Sequence, residues 1–272
     1  MPLNTRPTDN STSINRTTLS PPPNTESNSQ TDLMFVVVVA TYRRSNNSTF
    51  GFLRNLACFL KAQTYQQWVL FVTGDAYSPE EEFRAALRSI PERRLFLSNL
   101  ASPGERGRLN GHYLWLTAGT AALNQALQRV EEFYLDSREL VEDRLVIARL
   151  DDDDYWYADH LQTLADRYAL YPTVKFVYTR ARSCHAQDGY PQFLVDGLNN
   201  RPPVHSGMIH STASWKLKEF WRWRYHTIEE MSSPEPGDAH MWVRMAKHMT
   251  SSSPVSYTHL RAHETKAKLV CR

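Results

Sequence analysis

Two patterns of hydrophobic and polar positions alternate along the middle of the chain. Runs of consecutive apolar, often β-branched residues predict strands that are buried on both faces, over 34–40, 68–73, 94–97, 145–150 and 174–179. Apolar residues three or four positions apart predict amphipathic helices over 52–60, 114–130 and 159–171. The sequence Ser-Pro-Glu-Glu at 78–81 is typical of a helix start and predicts one more helix. Because strands alternate with helices, we expect one α/β domain built on a mostly parallel sheet.

The two ends of the chain differ from this middle. Residues 1–32 are polar, rich in Asn, Ser, Thr and Pro, and contain no aromatic residue, so we expect a disordered arm. Residues 255–272 resemble a translated sequencing adapter, so we expect an artefactual, unpacked tail and a natural protein that is cut off near Pro254. The predicted organisation is an arm over 1–32, a domain over 33–254 and a tail over 255–272.

Composition and charge exclude several classes of protein. Charged residues make up 22% of the chain and the net charge is only +2, so no basic field indicates nucleic-acid binding. The three cysteines share no metal-ligand spacing, which argues against a disulfide framework and a Cys-based zinc site. We find neither a signal peptide nor an apolar run that could span a bilayer, and therefore expect a cytoplasmic protein.

Polar residues follow three of the predicted strands. In open α/β sheets ligands bind beyond the carboxyl ends of the strands, which here lead into 41–44, 74–75 and 151–154. The last segment is four consecutive aspartates. Like charges this close raise one another's pKa unless a cation lies among them, and a hard divalent ion with oxygen ligands meets that need. The alternative is a solvated turn whose aspartates cap the following helix.

Four stretches resemble one enzyme family. Residues 150–156, Leu-Asp-Asp-Asp-Asp-Tyr-Trp, resemble the DxD motif of family 2 glycosyltransferases of the GT-A fold. Residues 36–44 are similar to the family's opening strand and Thr-Tyr-x-Arg turn, and 62–68 to its Gln-Thr-Tyr-x-x-Trp segment. Residues 237–244 resemble the motif that carries the catalytic base. Each motif alone is weak, but four in the same order, over 33–249, are a specific signal.

The resemblance implies a GT-A fold, Rossmann-like with helices on both sides of the sheet, and a metal-dependent inverting glycosyltransferase. The donor would be a UDP- or GDP-sugar, the acceptor an unknown hydroxyl and the cofactor Mn²⁺ or Mg²⁺. The resemblance places donor-binding residues at Thr41, Tyr42, Arg44, Asp75 and Asp151, metal ligands at Asp151 and Asp153, and the catalytic base at Asp238. Tyr42 would contact the nucleotide base, and Asp75 would accept a hydrogen bond from the base or ribose.

Three features depart from the family pattern. Ala118-Gly119-Thr120 replaces an Arg-Asn pair, so a phosphate contact is missing or comes from Arg106 or Arg108. Gly237 stands where the family has Glu, and residues 131–143 resemble an insertion.

Alternatives to an active glycosyltransferase therefore stay open. One is a GT-A-like binding module without turnover, and another is a nucleotidyltransferase, although residues 40–44 lack the Gly-rich signature expected for it. Asp238 could serve only as a helix N-cap. His205 or His210 is expected on the acceptor side.

Overall fold

The computed structural model describes residues 33–117, 119–179, 181–182, 210–231, 236–252 and 267–269. The strands in chain order are β1 (Met34–Thr41), β2 (Trp68–Gly74), β3 (Leu95–Asn99), β4 (Leu145–Arg149), β5 (Asp154–Tyr155), β6 (Phe176–Tyr178), β7 (Ala181–Arg182), β8 (Ala213–Lys216) and β9 (Ala267–Leu269). The α-helices are α1 (Thr49–Lys61), α2 (Glu80–Leu87), α3 (Gly111–Thr117), α4 (Thr120–Tyr134), α5 (Arg138–Val141), α6 (His160–Leu170) and α7 (Gly237–Ser252). Short 3₁₀ turns lie at Glu92–Arg94, Glu105–Gly107 and His210–Thr212.

A six-stranded sheet with the order β3-β2-β1-β4-β8-β6 forms the centre of the fold. β1 pairs in parallel with β2 and β4, and β2 pairs in parallel with β3. β8 is antiparallel to both β4 and β6. The predicted α/β fold with a mostly parallel sheet is confirmed. Because β1, β2 and β4 run in the same direction, their carboxyl ends bring the polar segments that follow them to one edge.

The sheet is buried on both faces, as its continuous apolar strands predict. On one face Val37 packs in a cluster with Leu56 of α1 and side chains of α6. On the other face Val38 packs in a second cluster with Leu127 of α4 and Trp242 of α7. Each fully buried aliphatic side chain contributes about 1.5–3 kcal/mol through the hydrophobic effect. Successive residues of β1 point to opposite faces, so one strand supports both clusters.

One predicted helix is divided in two. The pattern over 114–130 predicts a single helix, but the structure has α3, then Gly119 with a φ of 85°, then α4. This φ lies in the left-handed region, which glycine adopts without the steric cost of a Cβ atom. The Gly119 carbonyl already accepts the first hydrogen bond of α4, from Leu123 N at 2.8 Å. The helical spacing of apolar residues continues across Gly119, and the hydrophobic pattern therefore does not reveal the break.

The other predicted elements differ from the observed ones mainly at their ends. α2 begins at Glu80, and Pro79 rather than Ser78 is the residue before the helix. The segment 131–143 is not a separate loop: α4 extends to Tyr134, and α5 occupies most of what remains before β4. The side chain of Ser137 caps α5 by accepting a hydrogen bond from Leu140 N at 3.2 Å.

The predicted arm over 1–32 lies outside the described residues, as does most of the tail. Within the tail, β9 pairs antiparallel with β5 and parallel with β7. The expectation of an unpacked tail is therefore wrong for Ala267–Leu269. The physical reason is general, because the edges of short strands expose N–H and C=O groups that can pair with any extended segment. No helix among the described residues is both long enough and apolar enough to cross a membrane.

Candidate active site

A cleft of about 220 Å³ lies beyond the carboxyl ends of β1, β2 and β4. The structure brings six of the seven sequence-predicted site residues to its wall: Thr41, Tyr42, Arg44, Asp75, Asp151 and Asp153. Arg106, Arg149 and Gly119 line the cleft as well. Together with Arg44, the two arginines give the cleft three cationic side chains. Strand direction explains the convergence, because these residues come from segments far apart in the chain that leave the sheet at one edge.

The Thr41 and Arg44 side chains hold the second aspartate of the run. Thr41 Oγ1 donates a hydrogen bond to Asp152 Oδ2 at 2.6 Å. Arg44 Nη1 donates to Asp152 Oδ2 at 2.8 Å, and Arg44 Nη2 donates to Asp152 Oδ1 at 2.7 Å. All three side chains are buried. Burial by itself lowers the pKa of Arg44, but hydrogen bonding to Asp152 and its charge raise that pKa above the ordinary value.

Tyr42 lies between two guanidinium groups. Arg106 Cζ is 3.3 Å from the centroid of the Tyr42 ring, and Arg44 Cζ is 4.4 Å from it. Both distances are within the range of cation–π attraction. Of the two cations considered for a phosphate contact, Arg106 is the one at the cleft. Arg108 instead pairs with the exposed Glu229 at 2.8 Å.

Asp75 is tied to the loop that carries Arg106. Its Oδ1 accepts a hydrogen bond from Gly104 N at 2.7 Å, and its Oδ2 lies 3.9 Å from Arg106 Nε. The buried Glu105 fixes the same loop to α4, because its carboxylate accepts hydrogen bonds from Ala121 N in the first turn of that helix. A carboxylate at this end of a helix is favoured by the helix dipole.

The four aspartates divide into two pairs. Asp151, Asp152 and Asp153 all line the cleft. The side chains of Asp151 and Asp153 are 34% and 31% exposed, whereas Asp152 and Asp154 are buried. Asp151 Oδ1 accepts a hydrogen bond from Arg149 Nη2 at 2.6 Å, and Asp153 Oδ2 accepts one from Arg44 Nη2 at 2.9 Å. The run is therefore neither a uniform solvated turn nor a cluster of four carboxylates around one point.

Ser211 joins the two pairs. Its hydroxyl donates to Asp154 Oδ2 at 2.5 Å and accepts from Asp151 N at 2.9 Å. Burial raises the pKa of Asp154, and the charge of Asp151 raises it further. For Asp151 burial also acts upward, but Arg149 and His210 together hold its pKa below the usual range. The environment therefore favours the ionised form of Asp151 and disfavours the ionised form of Asp154.

Asp151 and Asp153 have the oxygen chemistry that a divalent cation requires. Among the residues that the structure describes, no group of three or more His, Cys, Asp or Glu side chains forms a metal cage. Mg²⁺ commonly takes one or two carboxylates and completes its coordination with water and substrate phosphates. Two partly exposed carboxylates on the wall of a cleft fit a cation of that kind, shared with a substrate.

A second pocket, of about 290 Å³, contains Asp238 and shares Asp151 with the cleft. Asp238 lies in the first turn of α7, within the helix rather than at the position before it. Its Oδ2 is 3.7 Å from His210 Nε2, and His210 Nδ1 is 3.9 Å from Asp151 Oδ2. His210 therefore stands between the carboxylates of the two pockets. Burial lowers its pKa, although both aspartates oppose that shift. The other candidate, His205, lies outside the described residues.

The two glycines that depart from the family pattern have a packing role. Gly119 makes the turn between α3 and α4, with its positive φ. A Cβ atom at Gly237 would lie 3.2 Å from the carbonyl oxygen of Leu116, at the end of α3. The start of α7 can approach α3 this closely because Gly237 has no side chain.

Three further side chains contact the predicted site residues but have no role predicted from the sequence: Arg149, Asp152 and Ser211. Arg149 is buried and donates to the carbonyl oxygens of Val38 and Leu150 as well as to Asp151. An arginine inside an otherwise apolar strand is a signal that could have identified it, because a buried charge needs partners. Ser211 offers no such signal, since its contacts depend on how the chain returns to β8.

The fold and this paired site define the class: the chain has a GT-A-like glycosyltransferase fold with a cleft at the carboxyl edge of the sheet. No family model matches the chain. It is 29% identical over 232 residues to an uncharacterized glycosyltransferase of Acanthamoeba polyphaga mimivirus, covering 81% of this chain and 88% of that protein. This homology supports a glycosyltransferase.

Two solved structures share the fold. TarS of S. aureus, in complex with UDP, matches with a TM-score of 0.51 and 15% identity, over 88% of this chain and 59% of that one. Mannosyltransferase PcManGT from Pyrobaculum calidifontis, in complex with GDP-Man and Mn²⁺, matches with a TM-score of 0.53 and 16% identity, over 88% of this chain and 57% of that one. The chain thus spans less than two thirds of the length of either structure.

Proposed function

We propose that this protein is a metal-dependent inverting glycosyltransferase of the family 2 type, which moves a sugar from a UDP- or GDP-sugar to an acceptor hydroxyl. The observation that carries the proposal is the position of Asp151, which lines two adjoining pockets. One pocket has a pair of carboxylates suited to a cation and a diphosphate, and the other has the separate carboxylate of Asp238. Transfer to a hydroxyl requires both kinds of acidic site, next to each other.

The cleft is the proposed donor site. Asp151 and Asp153 would hold the divalent cation, which when bound neutralises charge on the leaving diphosphate. The UDP and the GDP-Man with Mn²⁺ in the two solved structures support this class of donor and cofactor. Arg106 now covers one face of Tyr42, so a nucleobase that stacks on that face has to displace it. The displaced guanidinium would remain beside the cleft as a cation for the diphosphate.

Asp238 is the proposed base. An acceptor hydroxyl is a poor nucleophile at neutral pH, and a positioned carboxylate that takes its proton typically contributes about 100- to 10,000-fold. As the hydroxyl oxygen bonds to the anomeric carbon, the bond from that carbon to the diphosphate oxygen breaks. Its electron pair leaves with the diphosphate, and the hydroxyl proton passes to Asp238. Attack from the side opposite the leaving group inverts the anomeric configuration.

A binding module without turnover is the remaining alternative, because of Gly119 and Gly237. Both glycines are explained by the turn before α4 and the close approach of α7 to α3. Neither removes a carboxylate from the two pockets. The two glycines therefore have a packing explanation that does not require a loss of turnover.

Calorimetric titration of UDP and GDP, with and without Mn²⁺, tests the donor half of the proposal. We expect binding to need the cation and to fall at least tenfold in Asp153→Asn, because the anionic cleft and diphosphate repel each other without it. Asp136→Asn is the matched control, since Asp136 is exposed and lines neither pocket. Binding that is independent of the metal, or unchanged in Asp153→Asn, would contradict the assignment.

Sugar transfer by Asp238→Asn tests the catalytic half. This variant should bind nucleotide like the wild type and lose at least 100-fold in kcat, because a base acts on the acceptor only in the transition state. Equal losses of nucleotide affinity in Asp238→Asn and Asp153→Asn would overturn the separation of the two roles.

A further inference from the structure

An unusually exposed indole, that of Trp115, lines the pocket of Asp238. Trp115 and Tyr113 of α3 are 63% and 60% exposed, more than any other aromatic side chain in the part of the chain that the structure describes. Trp115 lines the same pocket as Asp238. The ring of His112 stacks beside it, with centroids 5.7 Å apart and planes inclined by 24°. An indole exposed at the mouth of a polar pocket is available to a ligand.

The position of Trp115 depends on the two unusual glycines. Without the positive φ of Gly119, α3 would continue straight into α4, as the hydrophobic pattern predicts. Without the open space at Gly237, α7 could not meet the end of α3 at Leu116. The departures from the family pattern therefore coincide with the elements that place this indole beside Asp238.

The same pocket contains a buried polar atom that lacks a hydrogen-bond partner. His210 Nε2 is buried and makes no hydrogen bond to any residue that the structure describes. Its separation of 3.7 Å from Asp238 Oδ2 is too long for a hydrogen bond. A hydroxyl oxygen placed between them can donate to Asp238 and accept from the imidazole. An unpaired buried polar atom is costly, so this arrangement favours a ligand that carries hydroxyl groups.

We propose that the acceptor of this enzyme is a saccharide, whose pyranose or furanose ring stacks its C–H face on Trp115 while its hydroxyl edge faces His210 and Asp238. This inference rests on the proposed function. A sugar ring has one apolar face and a row of hydroxyls, which matches a flat indole in the same pocket as carboxylate and imidazole groups. A long-chain alcohol or a Ser or Thr peptide also carries a hydroxyl that can pair with these groups, but neither offers a flat C–H face for the indole.

Acceptor competition is the first test. With one sugar nucleotide and Mn²⁺, we expect transfer to mono- and disaccharide glycosides in preference to a Ser/Thr peptide or a long-chain alcohol. Trp115→Ala should raise the acceptor KM roughly tenfold, with kcat nearly unchanged, because stacking is a binding contribution. Trp115→Phe should recover part of that loss. Tyr171→Ala, at an exposed aromatic outside both pockets, should leave the KM unchanged.

Saccharide binding measured without turnover separates this inference from the proposed function. Saturation-transfer NMR should detect ring C–H protons of a methyl glycoside on the wild type and lose that signal in Trp115→Ala. If UDP and GDP do not bind, the proposed glycosyltransferase activity fails, while the NMR result still decides on the saccharide site. If donor binding and hydrolysis are normal but the peptide or alcohol is the preferred acceptor, or Trp115→Ala has no effect in either assay, the saccharide inference is overturned alone.

Discussion

At the scale of single residues, the ion pair of Arg44 and Asp152 is the contact that shapes the cleft. Both side chains are buried, and the guanidinium binds both carboxylate oxygens. The pair joins the loop after β1 to the aspartates after β4. The resemblance to the family assigns Arg44 to donor binding, but its hydrogen bonds show that it also holds the neighbouring aspartate in place.

Arg44→Ala should be strongly destabilising. It leaves the Asp152 carboxylate buried without its cation, a loss that typically costs about 3–5 kcal/mol of unfolding free energy. Arg43→Ala is the neighbouring control, since the ion pair of Arg43 with Glu82 is solvent-exposed and such pairs contribute about 1 kcal/mol or less. Urea denaturation of both variants measures the difference. Similar losses of unfolding free energy in the two variants would show that the buried ion pair contributes no more to stability than the exposed one.

His160 should make the stability of the protein sensitive to acid. Its ring is buried against Trp156, with centroids 4.4 Å apart, and burial lowers its pKa from 6.5 to about 3. Below about pH 6.5 the unfolded chain binds a proton that the folded chain excludes, so stability falls as the pH drops towards 3. At pH 5 this single group costs about 2 kcal/mol relative to neutral pH.

Replacing the imidazole tests this assignment. His160→Phe keeps an aromatic ring against Trp156 but cannot titrate, so its unfolding free energy should fall by about 2 kcal/mol less than that of the wild type between pH 7.5 and 5. His112→Phe, at an exposed histidine, should follow the wild type. Parallel pH profiles for wild type and His160→Phe would contradict a buried neutral imidazole.

At the scale of elements, the break between α3 and α4 depends on one backbone conformation. Gly119→Ala should cost about 1–2 kcal/mol, because φ is 85° there and a Cβ atom is strained in the left-handed region. Space is not the obstacle, since the nearest atom to that Cβ would be 3.6 Å away.

The same substitution in α1 should have the opposite sign. Gly51 is a helical residue where an added Cβ atom meets no other atom within 4 Å in the described structure. Gly51→Ala should therefore stabilise the protein by about 0.5–1 kcal/mol, through a smaller loss of backbone entropy on folding. Thermal unfolding of the two variants side by side checks both signs. A stabilising Gly119→Ala would show that α3 and α4 tolerate a continuous helix.

At the scale of the whole molecule, both hydrophobic clusters, among the residues that the structure describes, consist of side chains from 33–249. We therefore expect that deleting residues 255–272 changes the melting temperature by no more than a few degrees, in spite of the pairing of β9 with β5. Three residues at a sheet edge bury little compared with a two-sided core. A large fall in the melting temperature of the deletion variant would show that β9 is an integral part of the fold.

Features of the fold and site that depend on neighbouring residues could be predicted from the sequence, whereas contacts between distant segments could not. The three parallel neighbours β1, β2 and β4 and most helices follow from local periodicity, and parallel strands necessarily bring residues 41–44, 75 and 151–153 to one edge. Contacts between segments carry no such local signal. The partners of Arg44 and Ser211, and the choice of Arg106 over Arg108, depend on side chains more than 30 residues apart in the chain.

The sequence by itself determined the α/β class, five of the six strands of the central sheet and the set of residues that meet at its edge, because hydrophobic period and strand direction are properties of the chain. It did not predict β8, the strand that joins β4 to β6. Only the tertiary structure decided which aspartates stay partly exposed, since burial of Asp152 and Asp154 depends on cations and hydroxyls from other segments. It also decided the turn at Gly119 and the position of Trp115 beside Asp238. The hydrophobic pattern continues through Gly119, whereas the backbone turns there at a positive φ and α7 packs against the end of α3.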